Sequence, residues 1–335
     1  MQLTKKTSNG NDIVAKNNYI PVDYRAWPIF VLSFIRLVFV SIFERAMQNF
    51  LYFEINISES TLGFISSAGA IAYIFGPLFG SAITRKLGTR NSIIISSFAT
   101  PILTTFQLLY FEPWFLITCR VLSGLMLGLY WPNLLNLLSN WQKVSSVEKA
   151  KKNFKNFNFS WNFGLLFGLF FGFIWAFSWN DYLAMILSWL ISFLLIPISF
   201  FIKKDIKAPK SEKVLKIHAE DARTDLTPIA TTETNSNTPM IVYPILFSWL
   251  GIMVLTISKS TFIFSFPVFL KASENPSYYT YIVQFGLQAA QLTGLTWINR
   301  MKVFTRRISA LVGIVGIVFV SLTVILFENI WYAAI

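Results

Sequence analysis

The chain has a single cysteine, Cys119, and a single histidine, His218. That excludes a disulfide framework, a zinc cluster built from several Cys and His, and any Cys/His or Ser/His pair inside a membrane. Charge is scarce too. Only 13% of the 335 residues are Asp, Glu, Lys or Arg, about half the share found in a soluble domain. So few charges cannot cover a soluble protein that is 54% hydrophobic with a mean hydropathy of +0.56. The bilayer must be the solvent for much of the surface. The polar N-terminus, Met1 to Asp23, has no basic stretch followed by a short apolar one. No cleavable signal is expected there, and the first apolar helix is itself the expected insertion signal.

Long apolar runs are what the chain does have, with 34 Phe and 11 Trp among its residues. Crossing a bilayer takes about 20 apolar residues. Nine segments meet that length: Trp27–Phe53, Thr61–Ile83, Asn91–Tyr110, Trp114–Asn140, Phe159–Trp179, Tyr182–Ile202, Ile241–Leu270, Tyr278–Ile298 and Ile308–Phe327. A tenth begins at Asn329 and is cut off at Ile335. Connection charges support this map. Of the 28 basic residues, 23 fall in the N-terminal tail and in the connections on one side. The other side receives Glu54, Glu59, Glu112, Asp181, Glu274 and Glu328, with Lys271 as its one basic residue. The positive-inside rule puts the basic side in the cytoplasm, so the N-terminus is expected there. The net charge of +12 would suggest nucleic acid in a soluble protein; here it reads as a topology signal, and no nucleic acid is expected.

The stretch from Lys203 to Thr238 mixes seven basic with six acidic residues, several Ser and Thr, and two prolines. It reads as a flexible linker. The expected organisation is a cytoplasmic tail (1–26), a six-helix bundle (27–202), a cytoplasmic linker (203–240) and a partial second bundle (241–335). Sliding the chain by 215 residues brings Thr84-Arg85 onto Asn299-Arg300, Glu59 onto Glu274 and Glu44 onto Lys259. Identities are few, but helix, connection and charge positions match, as they would in two related bundles.

Several motifs carry a resemblance. Between the second and third helices, the chain runs from Gly80 through Arg85, Lys86 and Gly88 to Arg90. The fourth helix carries Arg120, Gly124 and Gly128, followed by Tyr130, Trp131, Pro132 and Asn133. The fifth opens with Ser160, Trp161, Asn162 and Phe163 and keeps glycines at 164, 168 and 172. Together these resemble the signature loop, the second signature and the glycine-rich fifth helix of the major facilitator superfamily, over about Trp27 to Phe327. The resemblance implies an all-α polytopic membrane protein with a major-facilitator-like six-helix N-terminal bundle and an incomplete second bundle, since family members have twelve helices. It also implies a cytoplasmic gate at Gly80, Arg85, Gly88 and Arg90. The sequence departs from the family in two places. Thr84 stands where the family usually has an acid, and Leu169 and Phe173 replace residues of the antiporter version of the fifth helix. The glycine stripes at four-residue spacing read first as close helix packing, and Pro132 as a kink in the fourth helix.

Five charged residues fall within the spans: Arg36, Glu44, Arg45, Arg120 and Lys259. Facing lipid at a helix centre, each would cost roughly +2.5 to +3.5 kcal/mol, so they are expected to face the interior and are functional candidates. At 1.5 Å per residue, Glu44 and Arg120 lie about 14 and about 9 Å below the same surface. In the superfamily, helices 1, 4, 7 and 10 line the central cavity, which implies that these two side chains meet. An ion pair between them is expected, with protonation of Glu44 as the route to proton coupling. Gln48 shares the face of Glu44, and Lys259 lies about 16 Å deep in the seventh helix, at the repeat position of Glu44. Arg36 and Arg45 are expected on other faces of the first helix, Arg45 snorkelling to the interface.

Four interior cations against one carboxylate favour an anionic or amphipathic substrate. The expected function is proton-coupled secondary transport of a small organic solute by alternating access, in the cell membrane. Glu44, Arg120, Lys259, Arg36, Gln48, Asn133, Trp161 and Asn162 are the substrate and coupling candidates. The alternative is a non-transporting scaffold or a truncated transporter of the same fold. No enzymatic activity, cofactor or metal is expected.

Overall fold

The computed structural model describes residues 26–143, 147–203 and 263–298. Among them there are helices and turns but no strand. A backbone that crosses lipid must satisfy its own polar groups, and a helix does this within one segment. The helices are α1 (Trp27–Asn49), α2 (Glu59–Leu87), α3 (Thr89–Leu109), α4 (Pro113–Lys143), α5 (Val147–Ser178), α6 (Asp181–Ser192), α7 (Leu195–Phe200), α8 (Ile263–Ala272) and α9 (Tyr279–Ile298). Among the described residues, six apolar helical stretches are long enough to cross a membrane: Trp27–Glu54, Glu59–Leu87, Thr89–Leu109, Pro113–Trp141, Glu148–Ser178 and Asp181–Phe200. The ninth expected span and the start of the tenth lie outside the described residues, as does the seventh before Ile263.

Two ends of the bundle can be told apart by charge. At the basic face, Arg85 and Lys86 close α2, and the first turns of α5 carry exposed Lys149, Lys151, Lys152 and Lys155. At the acidic face lie Glu54, Glu59, Glu112 and Asp181. Helix ends are set locally. Ser58 caps α2 by accepting from the Thr61 amide at 3.3 Å, and Asn180 caps α6 by accepting from the Leu183 amide at 2.7 Å, as short polar side chains do at N-termini. Gly88 alone joins α2 to α3, with φ 85° and ψ 159°, a region that only glycine enters without strain. α1 leaves the bundle through a π-helical turn, Phe50–Glu54.

Helix α5 begins a full twelve residues before the expected Phe159. The stretch from Glu148 to Lys155 was expected to be a loop because it is charged. It is rich in Lys, with Glu148 and Ala150 beside them, residue types that favour helix, and its lysines lie exposed beyond the apolar part of the helix. α4 runs through Pro132 to Lys143 as one helix. The sixth expected span is interrupted by a turn at Phe193 and Leu194, between α6 and α7.

Packing pairs α2 with α4 and α1 with α5. Gly76 and Gly128 let the first pair touch along the backbone: a Cβ on Gly76 would lie 2.6 Å from the Gly128 Cα. Small residues permit this approach in lipid, where dispersion rather than the hydrophobic effect joins helices. Two apolar cores follow α1. One surrounds Ile29, Leu32 and Ile35 towards the basic face; the other surrounds Phe39, Ile42, Phe43 and Met47 towards the acidic face. Arg36 sits on α1 at the junction between them.

Candidate functional site

Between α1, α2, α3 and α4 lies a cavity of about 330 Å³. Its charged lining residues are Arg36, Glu44 and Arg120. Arg120 Nη1 donates to Glu44 Oε1 in a salt bridge. The two partners are unequal in exposure: the Arg120 side chain is 7% exposed and that of Glu44 is 37%. The arginine is thus locked in the wall, while the carboxylate remains reachable from the cavity. The Arg120 guanidinium also lies 5.7 Å from the centroid of the Phe43 ring, within cation–π range.

Arg36 lines this same cavity, contrary to its expected place on another face of α1. Eight residues along a helix of 3.6 residues per turn return to within about a quarter turn, and a long side chain spans the difference. Arg36 Nη1 donates to Thr100 Oγ1, and its guanidinium lies over Tyr130 at 4.9 Å. Three polar atoms around the site are buried and have no hydrogen-bond partner among the described residues: the Nε of Arg36, the Nε of Arg120 and Oε1 of Gln107.

Other expected site residues fall elsewhere. Gln48 donates to Ser66 Oγ at 2.9 Å and accepts from Arg45 Nη1 at 2.5 Å. Arg45 does not reach for the interface; its Nη1 also donates to the carbonyl of Ile263 in α8 at 3.4 Å. Asn162 is buried and accepts from Gln288 Nε2 of α9 at 3.1 Å. Trp161, its neighbour, is exposed and contributes nothing to the cavity. Lys259 lies outside the described residues.

The motif residues at the basic face form a neutral network. Asn133 Nδ2 donates to Thr84 Oγ1 at 2.8 Å, and the Thr84 hydroxyl lies 3.2 Å from Ser92 Oγ. Gly80 packs against the backbone of Gly128 and Leu129. Arg90 Nη2 donates to the Phe200 carbonyl at the end of α7, at 3.2 Å, while Arg85 is exposed.

One residue was missed by sequence reasoning. Asp181 was expected as a connection acid, yet it is 4% exposed. It accepts from Ser277 Oγ at 2.6 Å, Tyr281 Oη at 3.2 Å and Asn49 Nδ2 at 3.2 Å. Asn49 Nδ2 also donates to Thr280 Oγ1 at 3.0 Å. Nearby, Lys271 Nζ donates to the Tyr52 carbonyl at 2.5 Å and to Asn56 Oδ1 at 2.7 Å. These bonds tie α1 and α6 to α8 and α9 at the acidic face. An acid at the first position of a helix looks the same in sequence whether or not a later segment covers it, so no signal marked Asp181.

The fold is that of a multi-pass helical membrane protein with a cavity that α1–α4 line around three charged side chains. The chain matches the Major Facilitator Superfamily over residues 29–335 and belongs to that family. This is a family of membrane transporters of solutes, not of enzymes. Among solved structures, one similar chain is described as a bacterial homologue of the human drug peptide transporters PepT1 and PepT2. It is 14% identical with a TM-score of 0.41, and the alignment covers 82% of this chain. The chain spans about half the length of that transporter, 54% of it being covered. No curated protein matches the chain.

Proposed function

We propose that the chain carries a small organic solute across the cell membrane by alternating access, coupled to protons through Glu44. The observation that carries this reading is the Glu44–Arg120 salt bridge in the cavity wall, with its carboxylate open and its guanidinium buried. An ion pair of this kind is a two-state element. Protonating Glu44 removes the partner that offsets the buried charge of Arg120, and an uncompensated charge in the membrane interior is costly. The bundle then favours whichever arrangement gives Arg120 another partner. In this reading the N-terminus is cytoplasmic, 27–202 form the first bundle, 203–240 the linker and 241–335 part of the second. The bonds of Asp181 and Lys271 to the other half are consistent with a conformation closed at the outer, acidic face.

A non-transporting role on the same fold is the second reading. The neutral Thr84 network, in the place of an acidic gate, is what favours it.

Proteoliposomes holding the purified chain decide between the two. Uptake of labelled organic anions and amphipaths is followed under an imposed pH gradient, for the wild type and for Glu44→Gln. Gradient-driven flux that disappears in the variant supports transport coupled at Glu44. Flux that persists unchanged in Glu44→Gln removes that residue from the coupling, and a folded wild type that moves none of the panel favours the non-transporting role.

A further inference from the structure

We propose that the α1–α4 cavity binds a monoanionic organic acid, its carboxylate held by Arg36 and Arg120. The inference rests on the transport reading only in taking the ligand to be a solute.

Charge is the first argument. The described lining residues include two guanidiniums and one carboxylate, so the empty cavity holds one positive charge in excess. Arg45, the next charge along α1, is directed to Gln48 and α8 instead. α2 contributes Tyr73 as its titratable lining residue, and α3 contributes none. While Glu44 is ionised, one added negative charge balances the site, and a cation would meet two arginines.

Hydrogen bonding is the second argument. Both arginines are more than nine-tenths buried, and each keeps a buried Nε–H without an acceptor. A guanidinium presents donors in a fixed fork that matches a carboxylate. Arg36 is already held by Thr100 and the Tyr130 ring, so little ordering remains to be done on binding. The rest of the wall is largely apolar, including Phe39, Val40, Phe43 and Leu103. That suits the body of a small organic acid, and the volume lies at the low end for small-molecule sites. Every described lining residue belongs to α1–α4.

Glu44 then competes with the ligand for Arg120. The ligand carboxylate replaces it on the guanidinium, and Glu44 is left free to take up a proton. Glu44→Gln should therefore bind the ligand more tightly while losing gradient-driven flux, two effects of opposite sign.

The test is binding to the purified chain in detergent, by calorimetry and by melting-temperature shift. The probes are acetate, butyrate, benzoate and indole-acetate, each against its primary amide, with benzylammonium as a cation control. The expected result is saturable binding of at least one carboxylate and none of its amide or of the cation. Affinity should rise several-fold in Glu44→Gln and vanish in Arg36→Gln. Ala70→Leu, which fills the cavity without touching a charge, should also abolish binding; with the ligand series it decides the matter if Arg36→Gln does not fold. Equal binding of acid and amide, undiminished binding in Ala70→Leu, weaker binding in Glu44→Gln, or no binding of any carboxylate to the folded wild type overturns the proposal. Binding without flux in liposomes counts against transport and leaves the site standing. Flux without binding in this cavity does the reverse.

Discussion

Ser277 Oγ donates to Asp181 Oδ2 at 2.6 Å across 96 positions of sequence, so a carboxylate at the start of α6 is held by the segment that leads into α9. Replacing Asp181 by Asn puts an amide donor among donors that need an acceptor. Losing a buried acceptor costs about 1–3 kcal/mol, more for a charged one. Asp181→Asn should lower the melting temperature of the purified chain by several degrees, whereas Glu59→Gln, at an exposed position, should have a much smaller effect. Equal melting temperatures for Asp181→Asn and the wild type would show that the cluster contributes nothing to holding the halves together.

Packing at the α2–α4 contact and open space on α9 give predictions of opposite sign at two glycines. A Cβ on Gly128 would run into the Cα of Gly76, and overpacking of this kind costs about 1–3 kcal/mol. Among the described residues, a Cβ on Gly294 in α9 meets nothing within 4 Å, and alanine there gains about 0.5–1 kcal/mol of helix propensity. Gly128→Ala should destabilise the chain and Gly294→Ala should leave it unchanged or slightly more stable, as read from thermal unfolding in detergent.

At Gly88 the constraint is backbone conformation alone. No atom lies within 4 Å of a Cβ built there, yet φ is 85°. Gly88→Ala should cost about 1–3 kcal/mol through strain. A substitution without thermal cost would mean that the α2–α3 turn can adopt another geometry.

Thr84→Val keeps the shape of the side chain and removes its hydroxyl, leaving Asn133 Nδ2 with only the Leu129 carbonyl at 2.6 Å. A loss of about 1–3 kcal/mol is expected. Because the Thr84, Asn133 and Ser92 network carries no charge, its contribution should not change with salt. A melting-temperature difference between Thr84→Val and wild type that holds from low to high ionic strength supports this; one that shrinks with salt points to a charge within the network.

The helical repeat of the first bundle was readable because lipid imposes a length on each apolar run and because basic residues collect on one side. The Glu44–Arg120 contact was anticipated because charges inside a span are too costly to face lipid, because the two lie at similar depth, and because the family resemblance put their helices on one cavity. Lys271 and Asn56, in direct contact at 2.7 Å, are separated by 215 residues, the offset expected between two related bundles. Such a contact is what an axis relating two similar bundles would produce near its own position.

What the sequence determined by itself was a set of local features: the apolar runs, the sidedness of charge, and the small residues at close approaches. The tertiary structure alone decided which side chains share a space. It placed Arg36 beside Glu44 and Arg120 and sent Arg45 across to α8. It carried α5 twelve residues past its apolar part and buried Asp181 beneath Ser277 and Tyr281. Burial of this kind depends on which distant helix packs over a residue. It leaves no trace in hydropathy or spacing, because a carboxylate at a helix start has the same local sequence whether water or a tyrosine hydroxyl is its partner.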